Sequence, residues 1–192
     1  MKIRLNLVGY EKLPSTPVII ASKHQSAWET VVLFAFLAKP TVILKRELLW
    51  IPLFGFYIQR LGMITVARSK EQSSEDFRQF LKDAEAAVHA GHQIFIFPEG
   101  TRSQPGCPGT YRSGVGSLYT HLKIPVIPVA LNSGVFWPRR GFLKKPGTLT
   151  LEFLDPIQPG LPRREFMRTL EEEIESHSNA LLPQGVQKNG EK

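Results

Sequence analysis

His24 and Glu29 are five residues apart in the segment SKHQSAWE, directly after a β-branched run at residues 18–22. The imidazole of histidine has an ordinary pKa of about 6.5, so it can take a proton from a hydroxyl group near neutral pH. A carboxylate that accepts a hydrogen bond from one imidazole nitrogen fixes the tautomer and leaves the other nitrogen to act as a base. The pair therefore indicates general-base chemistry at the end of a strand.

Glu29 also has a purely structural explanation. Ser26, Ala27, Trp28 and Glu29 match the S-x-x-E pattern of a capping box, in which the glutamate reaches back to a backbone N–H at the start of a helix. The two explanations are compatible, because a first-turn glutamate can cap the helix and still offer an oxygen to His24.

The segment FPEGTRS, residues 97–103, follows another predicted strand and could bind an anion. Arg102 supplies a planar, permanently charged set of donors that suits a phosphate, while Gly100 and Thr101 can add backbone and hydroxyl donors. The alternative is an ordinary turn with a surface arginine.

Lys45 and Arg46 follow a third predicted strand and could close a phosphate pocket from the other side, although a solvated basic pair is the alternative. The whole chain of 192 residues carries a net charge of +7, and its sequence pI is about 9.7. This balance favours anionic partners such as nucleic acid, anionic lipid, phosphorylated substrates or an acidic carrier protein, without choosing among them.

The elements that must hold these residues alternate between strands and helices. Short apolar runs predict strands at 18–22, 42–45, 64–67, 94–97, 126–131 and 148–154. Helical patterns cover 26–37, 74–90, 115–122 and 163–182, with an apolar helix-turn region at 47–62. The alternation predicts one layered α/β domain, residues 1–182, with a mostly parallel or mixed sheet flanked by helices. Residues 103–116 are expected to form a functional or mobile loop, and residues 183–192 a disordered tail.

Several other kinds of chemistry lack support in the sequence. Cys107 is the single cysteine, so an intrachain disulfide and a thiolate metal cluster are excluded, and its PGCPG setting indicates a loop without a positioned base. The chain has no G-x-S-x-G, P-loop, H-E-x-x-H or G-x-G-x-x-G motif. Its longest uninterrupted apolar run, residues 31–38, is far shorter than the roughly 20 residues that span a bilayer.

Four blocks stand in a fixed order along residues 20–135: His24-x-x-x-x-Glu29, GMITVAR at 62–68, FPEGTR at 97–102 and VIPV at 126–129. The ordered set resembles the four blocks of the glycerolipid acyltransferase family, whose best-known members are the 1-acylglycerol-3-phosphate acyltransferases. ALNSGVFWPRRGFLKKPG also looks like bacterial members. The resemblance implies acyl transfer from an acyl thioester, acyl-CoA or acyl-carrier protein, to the free hydroxyl of 1-acylglycerol 3-phosphate, forming phosphatidic acid without a cofactor.

The resemblance also implies roles for individual residues. His24 looks like the family's catalytic base, and Glu29 stands where the family usually has aspartate. Lys45 lies about where family members place a second lysine that contacts phosphate. The block that binds the acceptor's glycerol phosphate matches Glu99, Gly100, Thr101 and Arg102.

The remaining blocks match less fully. Gly62 and Arg68 fit the second block, but Ala67 occupies a position often held by aspartate, which puts the polar contacts of that block in doubt. Pro128 matches the proline of the fourth block, which is linked to the acyl donor side. The family commonly carries a hydrophobic or amphipathic segment before the first block, whereas the 23 residues before His24 are not hydrophobic enough. Either this member docks by its surface alone or the segment is absent from the chain as given.

The resemblance implies association with the cytoplasmic face of the inner (plasma) membrane. Two features could provide it: the stretch LLWIPLFGFY at 48–57, and a basic cluster with Trp137, Arg139, Arg140, Lys144 and Lys145. Residues 50–58 could instead line an acyl-chain slot or belong to the core. The basic cluster could also hold CoA phosphates or an acidic carrier protein, or be a solvated loop.

Three alternative functions fit parts of the sequence. Glycerol 3-phosphate or another lysophospholipid could be the acceptor, and a thioesterase would use His24 to activate water. A nucleic-acid-binding module would use the positive charge, but it leaves the four ordered blocks unexplained, so no nucleic-acid partner is expected. The sequence leaves the oligomeric state open.

Overall fold

A central β-sheet organises the chain. The computed structural model describes residues 2–67, 73–139 and 143–184, and within these ranges the sheet has seven strands in the order β1-β7-β6-β2-β5-β3-β4. The strands are β1 (Ile3–Val8), β2 (Ile19–Ser22), β3 (Pro40–Lys45), β4 (Ile64–Val66), β5 (Gln93–Ile96), β6 (Val126–Leu131) and β7 (Gly147–Phe153).

Helices connect most of these strands. They are α1 (Trp28–Phe36), α2 (Phe54–Arg60), α3 (Ser74–His89), α4 (Ser113–Leu122), α5 (Ser133–Phe136) and α6 (Arg163–Ala180), with short 3-10 turns at Tyr10–Lys12 and Arg46–Trp50. No helix in the described ranges is long and apolar enough to cross a membrane. Most of the predicted tail and Arg68 of the second block lie outside the described residues.

The sheet is mixed, and its central part is parallel. Strands β2, β3, β4, β5 and β6 run in the same direction, since each pairs in parallel with its neighbour. β7 runs antiparallel to β6, and β1 pairs in parallel with β7. The predicted α/β class with a mostly parallel sheet is therefore confirmed. The carboxyl ends of the five parallel strands lie along one edge, where open α/β sheets usually build their sites.

Both faces of the sheet are covered, which explains why the central strands are continuously apolar. Successive side chains of β2 point to opposite faces. Ile19 and Ala21 pack in a cluster with residues of α3, α4 and α6. Ile20 packs in the other cluster, together with Leu33 of α1. A strand buried on both faces holds the turn at its carboxyl end in a fixed position.

Candidate active site

The turn between β2 and α1 carries the first predicted site residues. β2 ends at Ser22 and α1 begins at Trp28, so His24 lies in the five-residue connection at the carboxyl edge. Its carbonyl accepts hydrogen bonds from the backbone N–H of Ser103 at 2.8 Å and from the Ser103 hydroxyl at 3.2 Å. These bonds tie the turn to the loop that follows β5.

His24 and Glu29 are brought together as the sequence predicts. Nδ1 of His24 lies 2.9 Å from Oε1 of Glu29. The Glu29 side chain is fully buried, whereas the His24 side chain is 17% exposed. The imidazole stacks on the Phe97 ring, with 3.8 Å between centroids and 20° between planes. Nε2, on the ring edge away from Glu29, makes no hydrogen bond to any described residue. It is therefore available to a substrate hydroxyl.

Glu29 accepts four further hydrogen bonds. Its Oε1 accepts the backbone N–H groups of Gln25 at 2.7 Å and Ser26 at 2.6 Å. Its Oε2 accepts the hydroxyls of Ser26 at 2.6 Å and Ser133 at 2.8 Å. Burial raises the pKa of Glu29, but the hydrogen bond and charge of His24 and the bonds from Ser26 lower it by more. The pKa of this carboxyl therefore lies below its ordinary value of 4.5, and Glu29 is an anion at neutral pH.

The two explanations for Glu29 both hold in part. The bond from the Ser26 backbone N–H to Glu29 is the one that a capping glutamate makes. In a capping box the serine hydroxyl accepts from the backbone N–H three residues on. Here the Ser26 hydroxyl instead accepts from the N–H of Trp28, two residues on, at 3.0 Å. Glu29 thus fixes the helix start and the imidazole with the same carboxylate.

Ser133 is a member of the site that the sequence analysis did not single out. It begins α5, directly after β6, and its hydroxyl is buried against Glu29. The next residue, Gly134, donates its N–H to the side-chain oxygen of Gln25 at 3.0 Å. A β-carbon at Gly134 would lie 2.9 Å from the Pro105 ring and 3.0 Å from Gln25, so the packing requires glycine. The resemblance of ALNSG to bacterial members of the family could have pointed to Ser133, but it does not say what this residue does.

A buried ionic network lies beneath the histidine. Lys23 is 1% exposed, and its Nζ lies 2.5 Å from a carboxylate oxygen of both Glu99 and Glu175. The Tyr111 hydroxyl donates to the same oxygen of Glu175 at 3.0 Å. Burial raises the pKa of Tyr111, and the charges of Glu175 and Glu99 raise it further, so Tyr111 stays a neutral donor. Two carboxylates thus share one buried lysine in this network.

Glu99 holds the turn between β2 and α1 instead of facing outward. Its Oε1 pairs with Lys23, and its Oε2 accepts the backbone N–H of His24 at 3.1 Å. A β-carbon at Gly109 would lie 2.6 Å from the Glu99 carboxylate, so the surrounding loop closes over it. Glu99 is 1% exposed, and its contact with the acceptor, which the resemblance implies, stays a prediction.

The rest of the FPEGTRS segment forms the loop after β5. Gly100 has a φ of +66°, a conformation that glycine adopts without strain. Thr101 is exposed and Arg102 is half-buried. The Arg102 carbonyl accepts from the guanidinium of Arg139 at 3.1 Å, while the Arg102 guanidinium makes no hydrogen bond or ion pair within the described residues.

Lys45 reaches the same edge of the sheet. It is the last residue of β3 and is exposed. β3 pairs with β5 in the register Val42 to Phe95, so the end of β3 lies beside the start of the FPEGTRS loop. Arg46 instead pairs with Asp76 of α3 at 2.6 Å and lowers the pKa of Asp76 to about 2. Of the basic pair, Lys45 is the one that makes no ion pair in the described part of the chain.

The other predicted site residues lie farther from His24. Gly62 forms the turn before β4 with a φ of +61°, at the amino end of the strand, which is the opposite edge of the sheet. Pro128 is buried within β6, beside Ala21 of β2, and supports the strand that leads to the histidine. Arg68 lies outside the described residues, so its placement stays a prediction. In the described ranges, no three His, Cys, Asp or Glu side chains form a group that could hold a metal ion.

An α/β sheet with a histidine–carboxylate pair at its carboxyl edge, and with Lys45 and Arg102 on the same edge, suits general-base chemistry on an anionic substrate. The Acyltransferase family model matches residues 4–132, and the chain belongs to this family. The crystal structure of the 1-acyl-sn-glycerophosphate (LPA) acyltransferase PlsC from Thermotoga maritima has the same fold. It superposes with a TM-score of 0.74 and 24% sequence identity over 94% of this chain and 72% of that one.

Two relatives are named as 1-acyl-sn-glycerol-3-phosphate acyltransferases. The protein from Pseudomonas aeruginosa is 39% identical over 147 residues, which are 77% of this chain and 56% of the relative. A chloroplastic protein from Brassica napus is 31% identical over 130 residues, which are 67% of this chain and 37% of the relative. The present chain therefore matches about half, or less, of the length of these relatives.

Proposed function

We propose that this chain transfers a fatty acyl group from an acyl thioester to the free hydroxyl of 1-acyl-sn-glycerol 3-phosphate, giving phosphatidic acid. The observation that carries the proposal is the 2.9 Å contact between His24 and the buried Glu29 at the carboxyl edge of the sheet. The printed names of the Pseudomonas aeruginosa and Brassica napus relatives support the choice of acceptor. Acyl-CoA and acyl-carrier protein are both accepted as donors in this proposal.

His24 would act as the general base. Nδ1–H donates to Glu29, so the unprotonated Nε2 takes the proton of the acceptor hydroxyl while that oxygen forms a bond to the thioester carbonyl carbon. The tetrahedral intermediate then expels the thiolate, which receives the proton from the imidazolium. The products are the ester and the free thiol, and no protein nucleophile is required.

Glu29 would stabilise the imidazolium that forms during the reaction. Its carboxylate is buried and ionised, so its charge acts on the histidine with little screening by water. The carboxylate is held by backbone and hydroxyl donors from two elements, which keeps the ring in one orientation through the catalytic cycle.

Arg102 and Lys45 would bind the phosphate of the acceptor. Both follow parallel strands that are neighbours in the sheet, and neither forms an ion pair within the described residues. Their charges would place the acceptor on the β3 side of His24, and the binding energy of the phosphate would help to position the hydroxyl at Nε2. Gly100 and Thr101 of the same loop can add backbone and hydroxyl donors.

An exposed apolar surface supports docking on a lipid bilayer. Trp50 is 85% exposed and Leu53 is 79% exposed, with Phe56 and Tyr57 of α2 exposed beside them. Leu53 has a φ of +66°, a strained conformation for a leucine, and strained loop residues cluster at functional sites. In this proposal the segment contacts the cytoplasmic face of the inner membrane and brings the enzyme to its lipid substrate. The slot for the acyl chain at residues 50–58 stays a prediction.

An acceptor panel tests the proposed reaction. The purified protein is given one acyl group on CoA or on acyl-carrier protein, together with 1-acylglycerol 3-phosphate, glycerol 3-phosphate, a lysophospholipid without a terminal phosphate, or no acceptor. We expect ester formation to be fastest with 1-acylglycerol 3-phosphate. Faster esterification of another acceptor would contradict the assignment. Thiol release at the same rate without any acceptor would identify a thioesterase.

A further inference from the structure

A cavity of about 530 Å³ opens beside the turn between β2 and α1 that carries His24. Its wall includes Gln25, the residue after His24, and Ser103, which is hydrogen-bonded to the His24 carbonyl. Gly134, the residue after Ser133, closes it from α5. Volumes of roughly 300–1,000 Å³ are typical of small-molecule sites. Three neighbours of His24 and Ser133 therefore line one cavity.

The cavity has a polar inner wall and a cationic rim. Gln25 is buried, and its side-chain oxygen is used by Gly134, but its Nε2 has no hydrogen-bond partner within the described ranges. A buried donor without an acceptor is costly, so this amide marks a place for a ligand carbonyl. At the rim, Arg139 and Lys145 are exposed and come from the connection between α5 and β7. Such a site suits a ligand with amide carbonyls at one end and a phosphate at the other.

The order of the strands places the cationic rim and Lys45 on different sides of β2. β2, which leads to His24, lies between β5 and β6. Lys45 approaches from the side of β3, whereas Gly134 and the cationic rim approach from the side of β6 and β7. The FPEGTRS loop after β5 lies between them, since Ser103 lines the cavity. The acceptor's Lys45 and the cations of the rim are therefore different residues.

We infer that this cavity binds the phosphopantetheine arm of the acyl donor. The inference rests on the proposed acyl transfer and names the donor's site within it. Acyl-CoA and acyl-carrier protein both carry this arm, with its two amide groups and its phosphate. Arg139 and Lys145 attract the phosphate, and Gln25 donates to an amide carbonyl. Pro105, Val135 and Pro138 supply apolar wall, and the thioester end would lie beside Gln25, the residue that follows His24.

Steady-state kinetics of Lys145→Gln test the rim. The donors are decanoyl-CoA and the decanoyl thioester of N-acetylcysteamine, which lacks the phosphate. We expect the KM for decanoyl-CoA to rise about 3- to 10-fold, since one exposed charge-assisted contact is lost. The KM for the short thioester and for the acceptor should not change. Arg139→Gln should act in the same direction, but Arg139 also donates to the Arg102 carbonyl, so Lys145→Gln is the decisive variant. Lys82→Gln on α3 is the matched control, because it removes one exposed charge elsewhere.

Cys107 provides a second test that needs no turnover. The single cysteine lies in the cavity wall, so its alkylation by iodoacetamide, followed by mass spectrometry, reports on occupancy. We expect desulfo-CoA, which has no thiol, to slow alkylation severalfold, and glycerol 3-phosphate to leave the rate unchanged. Lys145→Gln should require about 3- to 10-fold more desulfo-CoA for the same protection.

The two tests separate the inference from the proposed function. An active enzyme whose donor KM is insensitive to Lys145→Gln, or whose Cys107 is protected by glycerol 3-phosphate, would overturn the cavity assignment. The same holds if desulfo-CoA gives no protection. If acyl transfer is not observed but desulfo-CoA protects Cys107 in a manner that depends on Lys145, the cavity assignment stands and the proposed reaction is wrong.

Discussion

Replacing Glu29 by glutamine removes a charge while keeping most of the side chain's shape. An amide placed with its oxygen at the Oε1 position can still accept from the backbone N–H groups of Gln25 and Ser26. The NH₂ group would then face the hydroxyls of Ser26 and Ser133, which can rotate and become acceptors. The variant should therefore keep its fold and the start of α1.

The expected effects on stability and rate differ in size. Bonds to an ionised acceptor contribute about 1.5–3 kcal/mol against about 0.5–1.5 kcal/mol for neutral ones, so Glu29→Gln should lose on the order of 1–3 kcal/mol of unfolding free energy. The rate of acyl transfer should fall about 10²- to 10⁴-fold, because the imidazolium loses its buried counterion. Glu29→Asp keeps the charge but is one methylene shorter, so it should retain more activity than Glu29→Gln.

The assay compares kcat at saturating donor and acceptor with unfolding in denaturant for the same preparations. A folded Glu29→Gln enzyme with kcat within about threefold of the wild type, together with a clear loss of stability, would show that Glu29 only caps the helix. This outcome would refute the proposed support of the imidazolium, since 10² in rate corresponds to about 2.7 kcal/mol of transition-state stabilisation.

The remaining predictions concern the base, the phosphate site, the buried network and acid stability. His24→Ala should lose about 10²- to 10⁴-fold in kcat with an unchanged melting curve, and near-normal activity would disprove the base assignment. Arg102→Ala should lower kcat/KM for 1-acylglycerol 3-phosphate about 10- to 100-fold. Arg102→Lys should restore part of this loss, and Lys45→Ala should cause a smaller one. If only the KM for the donor rises, the site binds the donor and the acceptor assignment is wrong. Lys23→Met should destabilise the fold by about 3–5 kcal/mol in denaturant, because it leaves buried carboxylates without a cation, and Lys23→Met combined with Glu175→Gln should recover part of the loss. The pKa of Glu29 is lowered on folding, so the ionised carboxylate stabilises the fold fully above pH 4.5, and this stabilisation is lost as the pH falls below 4.5. Below pH 4.5, the unfolding free energy of Glu29→Gln should therefore depend less on pH than that of the wild type.

Local patterns were enough to predict the elements that lead to the site. β6 matches its predicted bounds, and α3 ends one residue before the predicted limit. His24 and Glu29 are close in sequence, so a turn between a strand and a helix brings them together without help from distant residues. Such a contact depends only on where the strand ends and the helix begins, and the periodicity of apolar residues predicts both.

The features that the sequence analysis missed depend on long-range contacts. Lys23 was given no role, because its partners Glu99 and Glu175 lie 76 and 152 residues away in the sequence. Ser133 reaches Glu29 across 104 residues, and its helix of four residues is too short to leave a periodic pattern. β1 was not predicted, since it is a half-exposed edge strand whose partner, β7, lies near the other end of the chain.

This pairing of β1 with β7 sets the order of events while the protein is being made. Asn6 and Thr150, whose side chains meet across the two strands, are separated by 144 residues. β1 must therefore wait until β7 has been synthesised before the two strands can pair. Closing so large a loop is slow, and until β1 pairs, the edge of β7 is open to other strands. The addition of β1 to the edge of the sheet is therefore expected to be a late step of folding.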